Sequence, residues 1–511
     1  MIVVNFNKPE FEYDVHSLIK AFFPKEDVEM YYTCSPEEVS GQNVACTHRN
    51  MEDLTQEELE KVTATFSIDY RENDIRILWA GEQEHRAEFA VDFSDRRETK
   101  NRLKQNLYEL LEKGSGQTLP WGTLTGIRPT KIPMKLMEEG KSREEIASYM
   151  KETYLATDEK IQLSMDIAER ERKLLSRIDY ENGYSLYIGI PFCPSTCLYC
   201  SFTSYPLGAW KNKVDAYLDA LEKEIDFTVE TCKNKKLNSV YIGGGTPTTL
   251  EPQQLDRLIT KIQNSFSFED CVEFTVEAGR PDSITREKLQ VLKDHGIDRI
   301  SINPQTMKQR TLEIIGRHHT VEQTIQCYKM ARELGLENIN MDLILGLPDE
   351  SLEDVRHTME VLKVLDPDNI TIHSLALKRA ARLNIFKDYY KDMQMENTQE
   401  HMDLCAEYCK DMGLKPYYLY RQKSMAGNME NVGYAKSGKA GVYNILIMEE
   451  KQTIIALGAG ATTKFVLAEK NPDGSRRIER VENVKDVKNY LERIDEMIAR
   501  KRNKMEEVKW H

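Results

Sequence analysis

Along the chain the spacing of apolar positions changes several times, and each change marks an element. "ATFSIDY" (Ala64 to Tyr70), "IRILWA" (Ile75 to Ala80) and "AEFAVDF" (Ala87 to Phe93) alternate apolar and polar residues, the period of a half-buried strand. Turn-like residues 71–74 and 81–85 separate them and predict a meander. Within residues 95–116 the apolar positions move to helical spacing, placing Leu103, Leu107, Leu110 and Leu111 on one face, with Gly114 as the stop. This helix is expected to cover the sheet, so residues 1–115 read as an α+β accessory domain. From 116 to 180 the pattern stays helical and reads as a linker region, with Ser142 and Glu145 spaced as a capping box and residues 157–178 amphipathic.

After residue 181 the rhythm becomes β-rich runs alternating with helical ones. The runs are "YSLYIGI", "SVYIGGG", "VEFTVE", "DRISIN", "NINMDLI" and "NITIHSL", with helices between them at 211–231, 252–266 and 321–334. Such alternation predicts an α/β core of parallel strands joined by right-handed crossovers, over residues 181–377. An open sheet and a barrel both satisfy it. Functional residues of such folds collect at the C-terminal ends of the strands. Three cysteines follow the first run, three glycines the second, and Glu277 ends the third. Residues 378–511 read as a C-terminal α/β extension, with "YNILIMEE" and "QTIIALGAGA" as a hairpin and a charged helix from about Val484.

Length and charge narrow the partners. At roughly 100 to 200 residues per domain, 511 residues suggest two to four units. The 70 basic and 84 acidic residues give a net charge of -14, which argues against nucleic acid as a partner. Neither a leader pattern nor a run of about 18 apolar residues is present, so a cytoplasmic protein without a membrane span is expected. Reduced thiols follow from that expectation. Seven of the ten cysteines (Cys34, Cys46, Cys232, Cys271, Cys327, Cys405 and Cys409) lie in apolar or helical patterns and read as small core residues. Cys405 and Cys409 stand one helical turn apart but lack the second pair that a metal would need.

The remaining three lie in "YIGIPFCPSTCLYCSF" (Tyr187 to Phe202). A thioredoxin-like pair, Cys197 and Cys200, leaves Cys193 unexplained, and a structural zinc site wants a fourth ligand. An iron–sulfur cube fits the C-x3-C-x2-C spacing best: three thiolates hold three irons and the fourth iron stays open for chemistry. Gly243, Gly244 and Gly245 let backbone approach a ligand, without the order of a phosphate-binding P-loop. Glu277 reads either as an acceptor for ribose hydroxyls or an ammonium, or as a structural rim carboxylate. "PWGTLTGIRPTK" in the linker reads as an ordered loop or, through Arg128 and Lys131, as an anion-binding one.

Cys193, Cys197 and Cys200 after one strand, with "GGGTPT" after the next, resemble the radical S-adenosylmethionine (SAM) superfamily. "YIGIPFC", "GGGTPT", "IGRHH" and "NMDLILGLP" are similar to the oxygen-independent coproporphyrinogen III oxidase family, and "PWGTLTGIRPTK", "SLALKRAARLN" and "ALGAGATTK" to its HemZ-like coproporphyrinogen dehydrogenase branch. The resemblance implies a partial (β/α)6 TIM-like radical SAM barrel with one [4Fe-4S] cluster on Cys193, Cys197 and Cys200. It implies a first SAM against Tyr187, Gly244 and Glu277, and a second against Tyr199, Gly245, Thr246, Gln305, Arg317, Asp342 and Ala376. The implied chemistry is one-electron cleavage of SAM, hydrogen abstraction from propionate side chains of a tetrapyrrole, and loss of carbon dioxide to leave vinyl groups, yielding protoporphyrinogen IX. A reduced donor such as a flavodoxin or ferredoxin is the implied redox partner. Lys378, Arg379 and Arg382, with Arg128 and Lys131, are candidates for the substrate carboxylates, or else solvated charges.

Two positions depart from the family pattern. Gly189 stands where the oxidases often carry a histidine, and Phe202 where they commonly carry a fourth cysteine. Relatives that resemble this core are heme chaperones, which makes heme trafficking the rival reading. Their His-Asn-x-x-Tyr-Trp segment has no counterpart, which leaves His318, His319 and His373 as candidate heme ligands. A third reading keeps the radical chemistry but methylates or opens a tetrapyrrole.

Overall fold

The computed structural model describes residues 1–33, 54–126, 128–376, 381–385, 393, 395–421, 429–471 and 476–508. Cys34, Cys46, Lys378 and Arg379 lie outside them. The chain forms two compact units, one of Met1–Met165 and one of Asp166–Arg421 with Met429–His511.

The first unit holds a five-stranded sheet of β1 (Ile2–Phe6), β2 (Val28–Tyr32), β3 (Ala64–Tyr70), β4 (Asp74–Ala80) and β5 (Glu84–Ala90), in the order β2-β1-β3-β4-β5. The predicted meander is the antiparallel set β3-β4-β5. β1 and β2, which the alternation did not disclose, extend it through parallel pairing. Leu103, Leu107, Leu110 and Leu111 of helix Arg96–Ser115 are all buried in the unit's core, each contributing on the order of 1.5–3 kcal/mol. The helix does not stop at Gly114. It runs to Ser115 and is closed by Gly116 at φ 67°, whereas a Cβ on Gly114 would lie 2.1 Å from the Trp79 ring. Gly114 is therefore a packing glycine. The Ser142–Glu145 capping box forms as expected at the start of helix Arg143–Tyr154.

The second unit is built on β6 (Gly183–Ile190), a small parallel pair β7 (Phe192–Cys193) and β8 (Tyr205–Pro206), β9 (Lys236–Gly244), β10 (Glu273–Glu277), β11 (Arg299–Ser301), β12 (Ile339–Leu345) and β13 (Asn369–Ser374). β6, β9, β10, β11, β12 and β13 pair in parallel, in chain order, as the six β-rich runs predict. Helices Val214–Cys232, Pro252–Ser265, Arg286–Asp294, Val321–Glu333 and Leu352–Leu365 fill the crossovers. Beyond β13 the sheet continues antiparallel through β15 (Asn431–Ala435) to β14 (Lys415–Tyr420). On the other side β16 (Thr453–Leu457) pairs in parallel with β6, followed by antiparallel β17 (Thr462–Lys470) and β18 (Arg476–Glu482).

One expected hairpin strand is a helix. "YNILIMEE" forms helix Val442–Glu449, and the hairpin lies one step later, between β16 and β17. An apolar run this short carries no period that separates strand from helix. Tertiary context decides: the amides of Val442 and Tyr443 donate to the Glu273 carboxylate at 2.5 and 3.4 Å, an acidic group at the helix start, and the Tyr443 ring stacks on Tyr241 at 4.5 Å.

The C-terminal extension is fastened by a buried ion pair. Glu224 and Lys501 are both fully buried with Nζ and Oε1 2.5 Å apart. The carboxylate also accepts from Tyr490 Oη at 2.5 Å, Asn483 Nδ2 at 2.9 Å and Gly458 N at 2.8 Å. Lys501 Nζ donates a second bond to Ala456 O. Removing one partner leaves a buried charge unmatched, which typically costs 3–5 kcal/mol. We expect Lys501→Met to destabilise the second unit by about that amount, with partial recovery in Glu224→Gln/Lys501→Met. Equilibrium unfolding of the single and double variants checks it.

Candidate active site

The residues singled out at the strand ends converge on the loop that carries the cysteines. That loop leaves β6 at Ile190 and is tied to its surroundings by several hydrogen bonds. Gly245 N donates to Ile190 O at 2.8 Å and Thr246 N to Phe192 O at 2.7 Å, zipping the segment after β9 onto it. Leu198 N donates to Ile315 O at 3.0 Å, and Ser195 Oγ to Gly316 O at 3.1 Å, joining it to "IGRHH". Arg280, three residues beyond β10, donates to Ser195 O, Ser195 Oγ and Cys197 Sγ at 3.1, 3.1 and 3.4 Å. Cys193 and Cys197 are buried, Cys200 is half-buried, and none is in a disulfide.

Three thiols on one loop suit a four-iron cube, which takes each thiolate on a different iron. Among the described residues no group of three His, Cys, Asp or Glu side chains is placed to hold a single metal ion. The thiols are sheltered: burial pushes Cys193 up to about 11 and also raises Cys200, so iron binding there would release protons. Thr246 Oγ1 donates to Cys193 Sγ at 3.4 Å, and a Cβ on Gly245 would stand 3.0 Å from the same sulfur. The loop therefore needs glycine there.

Beside the loop lies a polar wall of the sheet. Tyr187 and Tyr241 are register partners on β6 and β9, and their rings stack at 6.2 Å. Tyr241 Oη donates to Glu277 Oε1 at 2.5 Å, and a Cβ on Gly243 would come within 3.1 Å of the Glu277 carboxyl carbon. Gly244 has φ 108°, a conformation open to glycine. Burial pushes the Glu277 carboxyl up to about 7, against the opposing hydrogen bond from Tyr241.

On the far side, Arg317 is buried and donates to Asn303 O at 2.6 Å, with Tyr199 and Cys197 as further hydrogen-bonding neighbours. Gln305 adopts a left-handed conformation at φ 66°, and its amide donates to Asp342 O at 2.9 Å. Asp342 is half-buried beside His373 at 3.8 Å. Burial would raise its pKa, but His373 and the Asn340 amide at 2.7 Å hold it below the usual range. Ala376 is half-buried just beyond β13. Two buried groups here, Gln305 Oε1 and Arg317 Nε, have no hydrogen-bond partner among the described residues. Other buried polar atoms among the described residues are also unpaired, so it is the position of these two beside the cysteine loop and Asp342 that suits a polar ligand.

The structure also places the outlying candidates. Arg128 is half-buried and Lys131 exposed in the first unit; in the second, Arg382 is exposed one residue before Leu383, whose amide donates to Leu198 O at 3.0 Å. His318 is exposed and His319 fully buried, and burial pulls His319 down to about 4. Cys405 and Cys409 are core thiols of helix Gln399–Asp411. A Cβ on Gly189 would meet Leu457 O, at the end of β16, at 3.4 Å. Phe202 is 71% exposed. Sequence reading missed Tyr241, Tyr443 and Arg280. The signal for Tyr241 was its place two residues before Gly243 on the same face of the strand, and for Arg280 its place at the rim, just past Glu277.

Residues 187–362 match the radical SAM superfamily model. The oxygen-independent coproporphyrinogen-III oxidase-like protein HemZ of Bacillus subtilis is 40% identical over 433 residues, 83% of this chain and 85% of that protein. The heme chaperone HemW of the same organism is 31% identical, covering 61% of this chain and 76% of its own length. The oxygen-independent coproporphyrinogen III oxidase of Salmonella typhimurium is 26% identical, over 62% of this chain and 66% of its own. Among solved structures, that of HemN from Escherichia coli overlaps 64% of this chain and 73% of its own at 23% identity, with a TM-score of 0.49. The chain belongs to the radical SAM superfamily and, within it, to the HemZ-like branch of the oxygen-independent coproporphyrinogen III oxidase family. Membership implies a [4Fe-4S] cluster and SAM. Among the described residues no helix is long and apolar enough to cross a membrane.

The raised Glu277 pKa has a pH signature. An unfolded glutamate ionises near 4.5, while the folded one keeps its proton to about 7, so stability falls as pH rises through that window. In the ligand-free protein, Glu277→Gln should unfold like the parent near pH 4 and become more stable than it by up to about 3 kcal/mol above pH 7. Unfolding measured across that range decides it.

Proposed function

We propose that this protein catalyses the oxygen-independent oxidative decarboxylation of two propionate side chains of coproporphyrinogen III to vinyl groups, giving protoporphyrinogen IX. The observation that carries the reading is the 40% identity to the HemZ protein, which extends over 433 residues and so well beyond the 187–362 core shared by the whole superfamily.

Cys193, Cys197 and Cys200 hold the cluster, and Tyr187, Gly244 and Glu277 line the first SAM. When bound, cluster and SAM together supply a one-electron cleavage that yields a hydrogen-abstracting carbon radical. The glycines would bring backbone against the ligand, Glu277 would accept its hydroxyl or ammonium hydrogens, and burial of Cys193 and Cys197 would limit water around the cluster. Tyr199, Gly245, Thr246, Gln305, Arg317, Asp342 and Ala376 form a second SAM site, a reading supported by the unpaired Gln305 Oε1 and Arg317 Nε. Arg317 suits a carboxylate and Asp342 an ammonium. Arg382, exposed next to the cysteine loop, suits a substrate carboxylate. Each turnover removes a hydrogen atom from the propionate β-carbon, releases carbon dioxide and passes one electron to an acceptor. A small reduced redox protein of the flavodoxin or ferredoxin kind would supply the electron that this chemistry needs.

The test is an anaerobic assay of the cluster-reconstituted protein with reductant, SAM and coproporphyrinogen III, following 5'-deoxyadenosine and porphyrin mass together. Loss of two carboxyl groups coupled to SAM cleavage is expected, with both falling to background in Cys197→Ala. Cleavage of SAM with an unchanged porphyrin keeps the radical chemistry and overturns the substrate, and a methylated or opened ring points to a different tetrapyrrole reaction. Tight heme binding with no SAM cleavage favours the heme-trafficking role carried by the HemW relative.

A further inference from the structure

Arg280 is one of the few arginines buried in the second unit, at 3% exposure, and its surroundings are specific. One edge of the guanidinium is clamped by Asp282, with Nε to Oδ1 at 2.9 Å and Nη2 to Oδ2 at 2.6 Å. Nη1 on the other edge faces the cysteine loop, bonding Ser195 O, Ser195 Oγ and Cys197 Sγ. Such a two-sided grip needs a planar fork of donors, which lysine lacks. The three thiols are treated unequally: Cys193 receives the neutral Thr246 hydroxyl, whereas Cys197 faces the cation of Arg280 and neighbours Arg317.

We infer that Arg280 is a positioning residue that holds the Cys197 corner of the cluster and raises its reduction potential, by placing a buried, oriented cation in hydrogen-bonding contact with the Cys197 sulfur. The inference rests on the proposed ligation by Cys197. Reduction adds one electron, taken from a low-potential donor, and so one negative charge to the cluster. Asp282 offsets part of the charge from the opposite edge, so what acts on the cluster is the positive Nη1 edge turned toward the ligand sulfur at 3.4 Å; it favours the more negative state, and hydrogen bonds to cluster sulfurs act in the same direction. Burial makes the effect larger than it would be in water. Asp282 contributes by fixing the direction of the guanidinium, and so by aiming Nη1 at the sulfur.

The experiment is a mediated redox titration of the reconstituted full chain, read by electron paramagnetic resonance, alongside iron and sulfide analysis. Arg280→Gln removes the charge, and Arg280→Lys keeps the charge but loses the fork. With a full cluster in each, the ratio of reduced to oxidised cluster at a fixed potential should fall at least tenfold in Arg280→Gln, about 59 mV for one electron, and about threefold or more in Arg280→Lys. A potential unchanged in Arg280→Gln overturns the inference and leaves Arg280 a loop anchor. Should Arg280→Gln hold no cluster, Arg280→Lys decides, and a ratio within twofold of the parent overturns the inference. Failure of the underlying ligation looks different: the parent assembles no [4Fe-4S] cluster, or Cys197→Ala keeps a full one.

Discussion

The site depends on how closely the end of β9 approaches the segment leaving β6. A Cβ at Gly245 would stand 2.6 Å from Phe192 O, a distance that side chains do not tolerate, so the approach is open only to glycine. It permits two backbone bonds, Gly245 N to Ile190 O and Thr246 N to Phe192 O, and these fix where Cys193 emerges. With that point held, Thr246 reaches the Cys193 sulfur, Arg280 reaches Cys197, and Gly316 accepts from Ser195. A loop pinned by backbone from neighbouring segments and by one buried arginine has little freedom, which suits the three-thiol cluster cradle proposed for it.

The C-terminal extension is part of this arrangement. β16 lies directly against β6, and a Cβ on Gly458 would come within 2.4 Å of Gly189 O, so these two strands also meet through glycine. Tyr217 donates to that same Gly189 carbonyl at 2.6 Å and accepts from Ala459 N at 2.9 Å, tying helix Val214–Cys232 to both. The Glu224–Lys501 pair beneath holds the turn from the other side, with Gly458 N among its hydrogen bonds. At the opposite ends of the strands, helix Val442–Glu449 docks on Glu273 and sends Tyr443 against Tyr241, the residue that orients Glu277. Residues distant in the chain therefore set both the backbone around Gly189 and the carboxyl at the rim.

The pattern of apolar and polar residues was sufficient for the six parallel strands, most crossover helices and the meander β3-β4-β5, because period and turn chemistry are local properties. It was insufficient where an apolar run was short and surrounded by other structure, as in "YNILIM", and where a glycine had two possible uses, as in Gly114 against Gly116. β1 and β2 escaped because they join the sheet through parallel contacts with residues far along the chain.

The sequence by itself determined the chemistry: three thiols at one strand end, glycines at the next and a carboxylate at the third, since residue type and spacing are written in the chain. Tertiary structure alone decided which groups serve those residues. Tyr241 is paired with Glu277 across 36 residues, Arg280 with Cys197 across 83, and Lys501 with Glu224 across 277. Nothing local distinguishes such a tyrosine, arginine or lysine from one that faces water. Only burial makes its hydrogen bonds obligatory, and burial is a property of the folded sheet.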